Sequence, residues 1–495
     1  MALRLFNTLS GKTEEFHPLE DNLVRMYACG PTVYDYGHIG NFRTFVAVDV
    51  LRRFLKQSGY KLKHVMNITD VEDKINRNAS RDGLTVQEYT KKYTQAFLED
   101  ADALNIERPE MIVKATDHIQ EMAHFIAELR EKGYAYATED GSYYFRIAQF
   151  PDYGKLSKKD FAGMTDGARV DVDEYEKDNA RDFALWKAPK PGEAQWDTEI
   201  GPGRPGWHIE CSQMSMRYLG ESFDIHCGGE DLIFPHHENE IAQSESLTGK
   251  QFVKYWVHSR FLLVEGEKMA KSAGNFYTVR DLVLMGHKLA SIRFLLMSVP
   301  HHKQLNFTFD GLTQAANSVE RLRNFKLRLQ TWKFAEGMNP AITESAKQAS
   351  KEMREGMEDD LNTARALGAV FDLVREVNAA LDAGRVKQDD AALVLKVLDQ
   401  FDQVFAVLND DDASKVRAIV EWAKTEGKTD KISTAAAEIA KAASLSDADV
   451  EKLVAEHSRA RQSRNFARSD AIRNQLAESG IILENTKDGV RWKRK

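Results

Sequence analysis

Hydrophobic positions in the first seventy residues switch between two periods. The stretch from Val24 begins as a short strand-like run and breaks at Gly30-Pro31. Phe42 to Gln57 then carries Phe45, Val46, Val50, Leu51 and Phe54 at helical spacing, and Lys61 to Asp70 reads as strand again. Strand, turn, helix and strand in that order predict parallel βαβ units. A mostly helical stretch is expected from Thr85 through Lys132, a hairpin from Gly133 to Phe150, and an insertion over Pro151 to Gly206, which is rich in Gly, Pro, Asp and Lys. Strand character returns at Phe223 to Cys227 and at Tyr255 to His258, on either side of a helix-like segment from Phe234 to Leu247.

Phe261 to Asn275 reads as a hairpin ending in a Lys/Ser/Gly-rich loop, and beyond Phe307 the pattern is that of a helical bundle. Trp332 to Ser350 reads as a linker, and Ala413 to Ser446, rich in alanine, as a tether or marginal helix. The predicted fold class is α/β: a Rossmann-like doubly wound parallel sheet with an inserted segment, then a helical bundle and a small basic C-terminal module. The expected divisions are 1–108 and 206–265 for the two halves of the sheet domain and 109–205 for the insertion. They continue with 266–331 for the lysine-loop region, 350–408 for the bundle and 447–495 for the module.

Composition narrows the class. The chain has 495 residues, 42% of them hydrophobic, enough for several cores, and no apolar run long enough to span a membrane. Three cysteines, Cys29, Cys211 and Cys227, are too few for a disulfide framework and turn attention to metal ligation or burial in a reducing, cytoplasmic setting. The formal net charge of −8 excludes a general basic coat, but from Lys452 onward eleven basic residues face five acidic ones, an excess suited to a polyanion.

Three stretches can do chemistry. The turn Tyr36-Gly37-His38-Ile39-Gly40-Asn41 leads into a helix N-terminus, where a phosphate can approach glycine backbone and His38 can donate; a purely structural βα turn fits the pattern equally. His236 and Glu240 are four residues apart and share a face, and Cys29 and Cys211 can bring two thiolates from other strand ends, a donor set suited to zinc. By spacing alone His237 with Glu240, or Glu238 as a surface acid, fits as well. Glu265 to Asn275 places Lys268 and Lys271 three apart among small residues, a cationic loop able to close on polyphosphate or simply to sit in solvent.

In this order, His38-Ile39-Gly40-Asn41, Lys268-Met269-Ala270-Lys271-Ser272 and a helical C-terminal region resemble class I aminoacyl-tRNA synthetases. More narrowly, Cys29 to Tyr34, Gly206 to Ser212, Phe234 to Glu240, Asp359 to Thr363 and Asn465 to Ala471 resemble the cysteinyl-tRNA synthetase family over nearly the whole chain. The resemblance implies L-cysteine, Mg-ATP and tRNA(Cys) as substrates. It also implies one Zn2+ held by Cys29, Cys211, His236 and Glu240, which the substrate's thiolate joins. A soft thiolate binds zinc far better than the hydroxyl of serine, so selectivity needs no editing domain.

The resemblance further implies catalytic roles for His38, Asn41, Lys268 and Lys271, and nucleotide contacts at Gly37, Gly40, Gly229, Asp231 and Lys271. Thr69, Trp207 and His226 would line the cysteine pocket. The bundle would read tRNA by shape, and the terminal module, with Arg459, Arg461, Arg464, Phe466, Arg468, Trp492 and Lys493 to Lys495, would take the anticodon. Two departures stand out: Asn41 occupies a position where class I enzymes often have a second histidine, and Ala270 replaces the usual first serine of the lysine loop. A monomer is expected, because no long apolar seam is left over. A cysteine ligase acting on an amino sugar would have no use for the basic module, and a catalytically dead RNA binder would not need His38, Lys268 and Lys271 together.

Overall fold

The computed structural model describes residues 2–159, 182–191, 193–442, 445, 447–486 and 489–494. A small antiparallel pair, β1 (Arg4–Asn7) and β2 (Lys12–Glu15), opens the chain. β3 (Leu23–Ala28), α1 (Ile39–Gln57) and β4 (Lys61–Ile68) form the first βαβ unit. α2 (Asp73–Arg81) and α3 (Val86–Ala103) lead to β5 (Met111–Lys114), which pairs in parallel with β4. The helical stretch expected from Thr85 through Lys132 is thus divided by a strand. Its four residues are too short a run to break the periodicity of α3 and of α4 (Ile119–Glu131) on either side.

The insertion builds its own antiparallel sheet. β6 (Ala135–Ala137) and β7 (Tyr143–Phe145) form the expected hairpin, and β8 (Phe183–Lys187) and β9 (Arg204–Pro205) extend it. Residues 160–181 of the insertion lie outside the described residues. α5 (Trp207–Leu219), β10 (Phe223–Gly229), α6 (Glu238–Thr248) and β11 (Val253–Ser259) then complete the main sheet, whose order is β11-β10-β3-β4-β5, all parallel. From β3 the chain runs outward one way and from β10 the other, so a crevice opens between their C-terminal ends. α6 begins four residues later than expected: Phe234 is extended at φ −142°, as a residue preceding proline prefers, and 233–237 form one wide turn.

β12 (Leu262–Val264) and β13 (Glu267–Lys268) make the predicted hairpin. α7 (Val279–Leu284), α8 (Leu289–Met297) and β14 (Leu305–Phe307) follow, then the long helices α9 (Phe309–Thr331), α10 (Pro340–Glu358), α11 (Thr363–Asp382) and α12 (Gln388–Phe405). The expected linker Trp332 to Ser350 is helical from Pro340: the Asn339 side chain accepts from the Ala341 N–H at 3.1 Å, and proline suits the first turn. The alanine-rich stretch is no tether either. It forms α13 (Asp412–Thr425) and α14 (Thr434–Lys441), with Val416, Val420, Ala436 and Ile439 in the main core; residues 443–444 and 446 lie outside the described residues.

Sheet and bundle share that core. Buried Arg293 of α8 fastens them by donating to Asp49 of α1 at 2.5 Å and to the carbonyls of Leu104 at 2.9 Å and Phe405 at 2.7 Å, so its charge is paired and its donors are used. α15 (Asp447–Gln462), α16 (Phe466–Glu478), β15 (Ile481–Thr486) and β16 (Gly489–Arg494) form the C-terminal module around a separate core of Val450, Val454, Ile472, Leu476 and Ile481.

Candidate active site and metal centre

The crevice is floored by the residues that follow β3. A Cβ on Gly30 would lie 1.6 Å from the carbonyl oxygen of Asn67 near the end of β4, so only glycine allows the two chain segments to approach. The Gly30 N–H in turn donates to the Asn67 side chain at 2.8 Å, and Cys29, one residue earlier, is held by its N–H to the Cys227 carbonyl at 3.2 Å.

Four buried donors meet there. Cys29 Sγ lies 3.8 Å from Cys211 Sγ, on α5, and 3.8 Å from Glu240 Oε1, on α6; His236 Nε2 lies 3.1 Å from the same carboxylate oxygen. A second set, Cys29, His226, His237 and Glu240, converges as closely and shares two members with the first. His226 Nε2 meets Glu240 Oε2 at 2.9 Å, and His237 Nε2 lies 3.3 Å from Cys29 Sγ. Behind them run two relays: His237 to His258 at 2.8 Å and on to Thr8 at 2.7 Å, and His236 to His208 at 2.9 Å.

Burial sets the electrostatics of this cluster. It pushes the thiols of Cys29 and Cys211 and the carboxyl of Glu240 up and the imidazoles of His236 and His237 down, so every member is driven toward its neutral form. A dication is the charge that would reverse this for the acids.

At the other end of the crevice, His38 caps α1. Its Nδ1 accepts from the Asn41 N–H at 3.1 Å while its own N–H donates to Asn41 Oδ1 at 3.1 Å, a reciprocal capping box. Burial and the charge of Lys271 push the imidazole down to about 4, against the opposing pull of Asp35. With Nδ1 used as acceptor, the neutral ring carries its proton on Nε2. The lysine loop lies alongside: Ile39 N–H donates to the Tyr277 carbonyl at 3.0 Å, and a Cβ on Gly40 would lie 3.1 Å from Met269. Asn275 ties the loop across its base by accepting from the Ala270 N–H at 2.8 Å and donating to the Lys268 carbonyl at 3.2 Å. No hydroxyl at position 270 is needed for that closure.

The other expected residues are spread along the crevice. Thr69 is buried and donates to Glu210 Oε2 at 2.8 Å; Trp207 is 39% exposed, its ring stacked on His236 at 4.3 Å. His226 is fully buried behind Glu240, with no open face toward the crevice. Gly229 ends β10 with the Asp231 carboxylate folded over it, 2.3 Å from where a Cβ would stand. Lys268 and Lys271 are exposed, and Lys271 Nζ pairs with Asp35 at 2.6 Å. In the C-terminal module Phe466 is 60% exposed beside Arg464 and Arg468, whereas Lys493 and Arg494 are occupied by Glu320 and by main-chain carbonyls; Lys495 lies outside the described residues. Sequence reasoning kept His237 as an alternative partner of Glu240 through its spacing of three, but gave no role to His258, His208 or Glu210, which come from separate elements and share no spacing with it.

The sheet order, the capped first turn and the lysine loop define a class I aminoacyl-tRNA synthetase. Residues 15–317 match the family described as tRNA synthetases class I (C) catalytic domain, and residues 352–409 match the DALR domain. The chain belongs to the cysteine–tRNA ligase family. It is 74% identical to the cysteine–tRNA ligase of Koribacter versatilis (strain Ellin345) and 56% identical to that of Solibacter usitatus (strain Ellin6076), each match covering 100% of both chains. Among solved structures it resembles Mycobacterium tuberculosis methionyl-tRNA synthetase bound by methionyl-adenylate, with a TM-score of 0.56 at 13% identity over 86% of this chain and 94% of that one. Agrobacterium radiobacter K84 agnB2 LeuRS, solved with tRNA and LeuAMS, gives a TM-score of 0.58 at 10% identity over 81% of this chain and 86% of the other. Both likenesses are of fold.

Proposed function

We propose that this chain joins L-cysteine to the 3′ end of tRNA(Cys) through a cysteinyl-adenylate made from Mg-ATP, and that one zinc ion held by Cys29, Cys211, His236 and Glu240 selects the amino acid. The observation that carries the reading is the buried four-donor cluster at the crevice. Two thiolates about 2.3 Å from a tetrahedral ion lie about 3.8 Å apart, the separation found between Cys29 and Cys211. Of the two converging sets only this one supplies two sulfurs. His226 and His237 then serve as partners behind the ligands, where they orient Glu240 and Cys29. Bound there, zinc supplies a soft Lewis acid that favours a thiolate over an alcohol.

The protein's own groups account for the rest. Trp207 covers His236 and forms the open wall against which the amino acid lies; Thr69, oriented by Glu210 and Asn67, presents a polar edge. His38 offers Nε2–H to the phosphates from the N-terminus of α1, and Lys271 brings a cation to the same place as the loop closes. Gly37 and Gly40 leave the backbone bare for that approach; the main-chain N–H of Asn41 holds the imidazole, and its side chain accepts from the His38 main-chain N–H rather than serving as a second charge. Lys268 anchors the loop's other strand. Gly229 and Asp231 at the end of β10 suit the ribose, since a carboxylate accepts from hydroxyls.

The division into a sheet domain (1–108 and 206–265), an insertion (109–205), a lysine-loop and stem-contact region (266–331), a bundle (350–408) and a basic module (447–495) assigns tRNA reading to the last two. The DALR match over 352–409 and the exposed Arg459, Arg464 and Phe466 support this assignment. The reading includes a cytoplasmic monomer; no described helix is long and apolar enough to cross a membrane.

The test is cysteine-dependent ATP–pyrophosphate exchange with serine as competitor and zinc counted on the same sample. Exchange with cysteine, little with serine and about one zinc per chain are expected. Exchange with full selectivity in metal-free protein would overturn the zinc assignment.

A further inference from the structure

Three stretches far apart in sequence meet on the ring of Tyr36, the residue two before His38. Tyr93 of α3 packs edge-on at 5.1 Å and Trp422 of α13 edge-on at 5.4 Å. The guanidinium of Arg280, on α7, sits 5.2 Å from the centre of the Tyr36 ring and 4.4 Å from that of Trp422; the ammonium of Lys428, just past α13, sits 5.0 Å and 4.6 Å from the same two rings. Arg280 is itself buried and fixed by Asp100 at 2.7 Å and Glu99 at 2.9 Å, so the platform over the two rings cannot drift. Such cation–π and edge-on contacts hold rings in place with more direction than aliphatic packing does.

The placement of these contacts matters more than their number. Tyr36 lies next to Gly37 and Asp35, the partner of Lys271, in the turn that presents His38. Arg280 belongs to α7, the helix into which the lysine loop runs, and Thr278 at its cap pairs with His38 as an isolated bridge. The first turn, through Tyr36, and the helix into which the lysine loop runs, through Arg280, therefore both meet a single side chain from beyond the bundle. We infer that Trp422 of α13 is a positioning residue for cysteine activation: through Tyr36 and Arg280 it fixes the turn that carries His38 and the helix that anchors the lysine loop. The stretch beyond the bundle then contributes to the first chemical step before any tRNA is read. This inference rests on the assignment of His38 to the phosphates made above.

The experiment is cysteine-dependent ATP–pyrophosphate exchange without tRNA on the full chain, comparing Trp422→Ala, Trp422→Phe, Glu426→Ala and His38→Ala. Glu426 pairs with Lys92 at 2.9 Å on the same interface and acts on Tyr36 through its charge, without being one of the side chains packed on the ring, so its loss reports on the interface in general. Expected are a fall in kcat of about tenfold for Trp422→Ala with KM for cysteine and bound zinc unchanged, recovery of most of it in Trp422→Phe, and a change within about twofold for Glu426→Ala. Parental kcat in Trp422→Ala, or an equal loss in Glu426→Ala, would overturn the inference. If Trp422→Ala does not fold, Arg280→Lys takes its place, because it keeps the charge beside Asp100 but removes the planar platform; an unchanged kcat there overturns the inference as well. His38→Ala separates the two claims: full activity in that variant sinks the reading of His38, whereas a slow His38→Ala beside a fast Trp422→Ala sinks only the role given to Trp422.

Discussion

Lys271 Nζ lies 2.6 Å from Asp35 Oδ2 and joins the lysine loop to the turn that precedes α1. The pair is exposed, so its contribution to stability is small, but it sets where the loop rests. Asp35→Asn should leave the unfolding midpoint within the error of measurement and change KM for ATP by about threefold, because an exposed pair is worth at most about 1 kcal/mol. Pyrophosphate exchange as a function of ATP concentration, beside a thermal scan, checks both halves.

His38 and Asn41 hold each other through two hydrogen bonds, and Asn41 is thereby more than a missing histidine. Asn41→Ala should cost about 1 kcal/mol of stability, the usual value of a lost helix cap, because the His38 main-chain N–H loses its acceptor, and should change kcat for exchange by no more than about twofold, because the main-chain N–H of residue 41 that holds the imidazole is kept. Asn41→Asp keeps an acceptor for the His38 N–H and should retain more of the stability. Equal stability losses in the two variants would contradict the capping role.

Removal of one sulfur should separate metal binding from folding. Cys211 is buried on α5, and Cys211→Ala is expected to lose zinc and cysteine-dependent exchange together while the far-ultraviolet circular dichroism is kept. Cys227→Ala, which alters a thiol outside both donor sets, should keep its zinc. Metal analysis of the two purified variants decides the matter.

Buried histidines outside the two donor sets around Cys29 make the fold sensitive to acid. Burial and the neighbouring Arg52 push His64 down to about 3, and burial, with smaller contributions from His302 and Arg43 against the pull of Asp360, pushes His301 down to about 4. Their ordinary value is near 6.5, so below that pH the unfolded chain takes up protons that the folded chain refuses. Their contribution to stability is complete above pH 6.5 and is lost as pH falls toward 4 and 3. Urea midpoints measured from pH 7.5 to 4.5 should therefore drop, and His64→Met, which fills similar space without titrating, should make the drop shallower.

The docking of α14 can be tested at a glycine. Gly286 has φ +103°, and a Cβ there would stand 2.6 Å from the Ala435 Cβ. Gly286→Ala is expected to destabilise by more than about 1 kcal/mol, through backbone strain and contact together. A midpoint unchanged from the parent would mean that α14 does not pack against this turn in solution.

Much of the central architecture was legible because its signals are local. The runs at β3, β4, β10 and β11, and the helical period of α1, each carry their own pattern, and the motif residues fall at the strand ends where such a sheet binds ligands. What was not legible depends on partners from elsewhere. β5 is a strand because β4 offers an edge to Met111-Ile112-Val113, and α14 is a helix because the turn at Gly286 lets Ala435 approach. The same holds within the site. The pair His236 and Glu240 follows from helix spacing, whereas His258 joins through His237 from another strand, and the meeting of Trp422 with Tyr36 has no trace in any spacing.

The separate core of the C-terminal module has a consequence for how the chain comes apart. Val450, Val454, Ile472, Leu476 and Ile481 pack with one another and not with the body, while helices as distant as α1 and α13 belong to one continuous interior. A calorimetric trace should therefore resolve into a large cooperative transition and a smaller one, with the smaller insensitive to zinc and the larger shifted upward by it. The last fifty residues are in that sense a detachable part: damage to them leaves the catalytic body standing, and damage to the body's interior spreads across sheet and bundle alike.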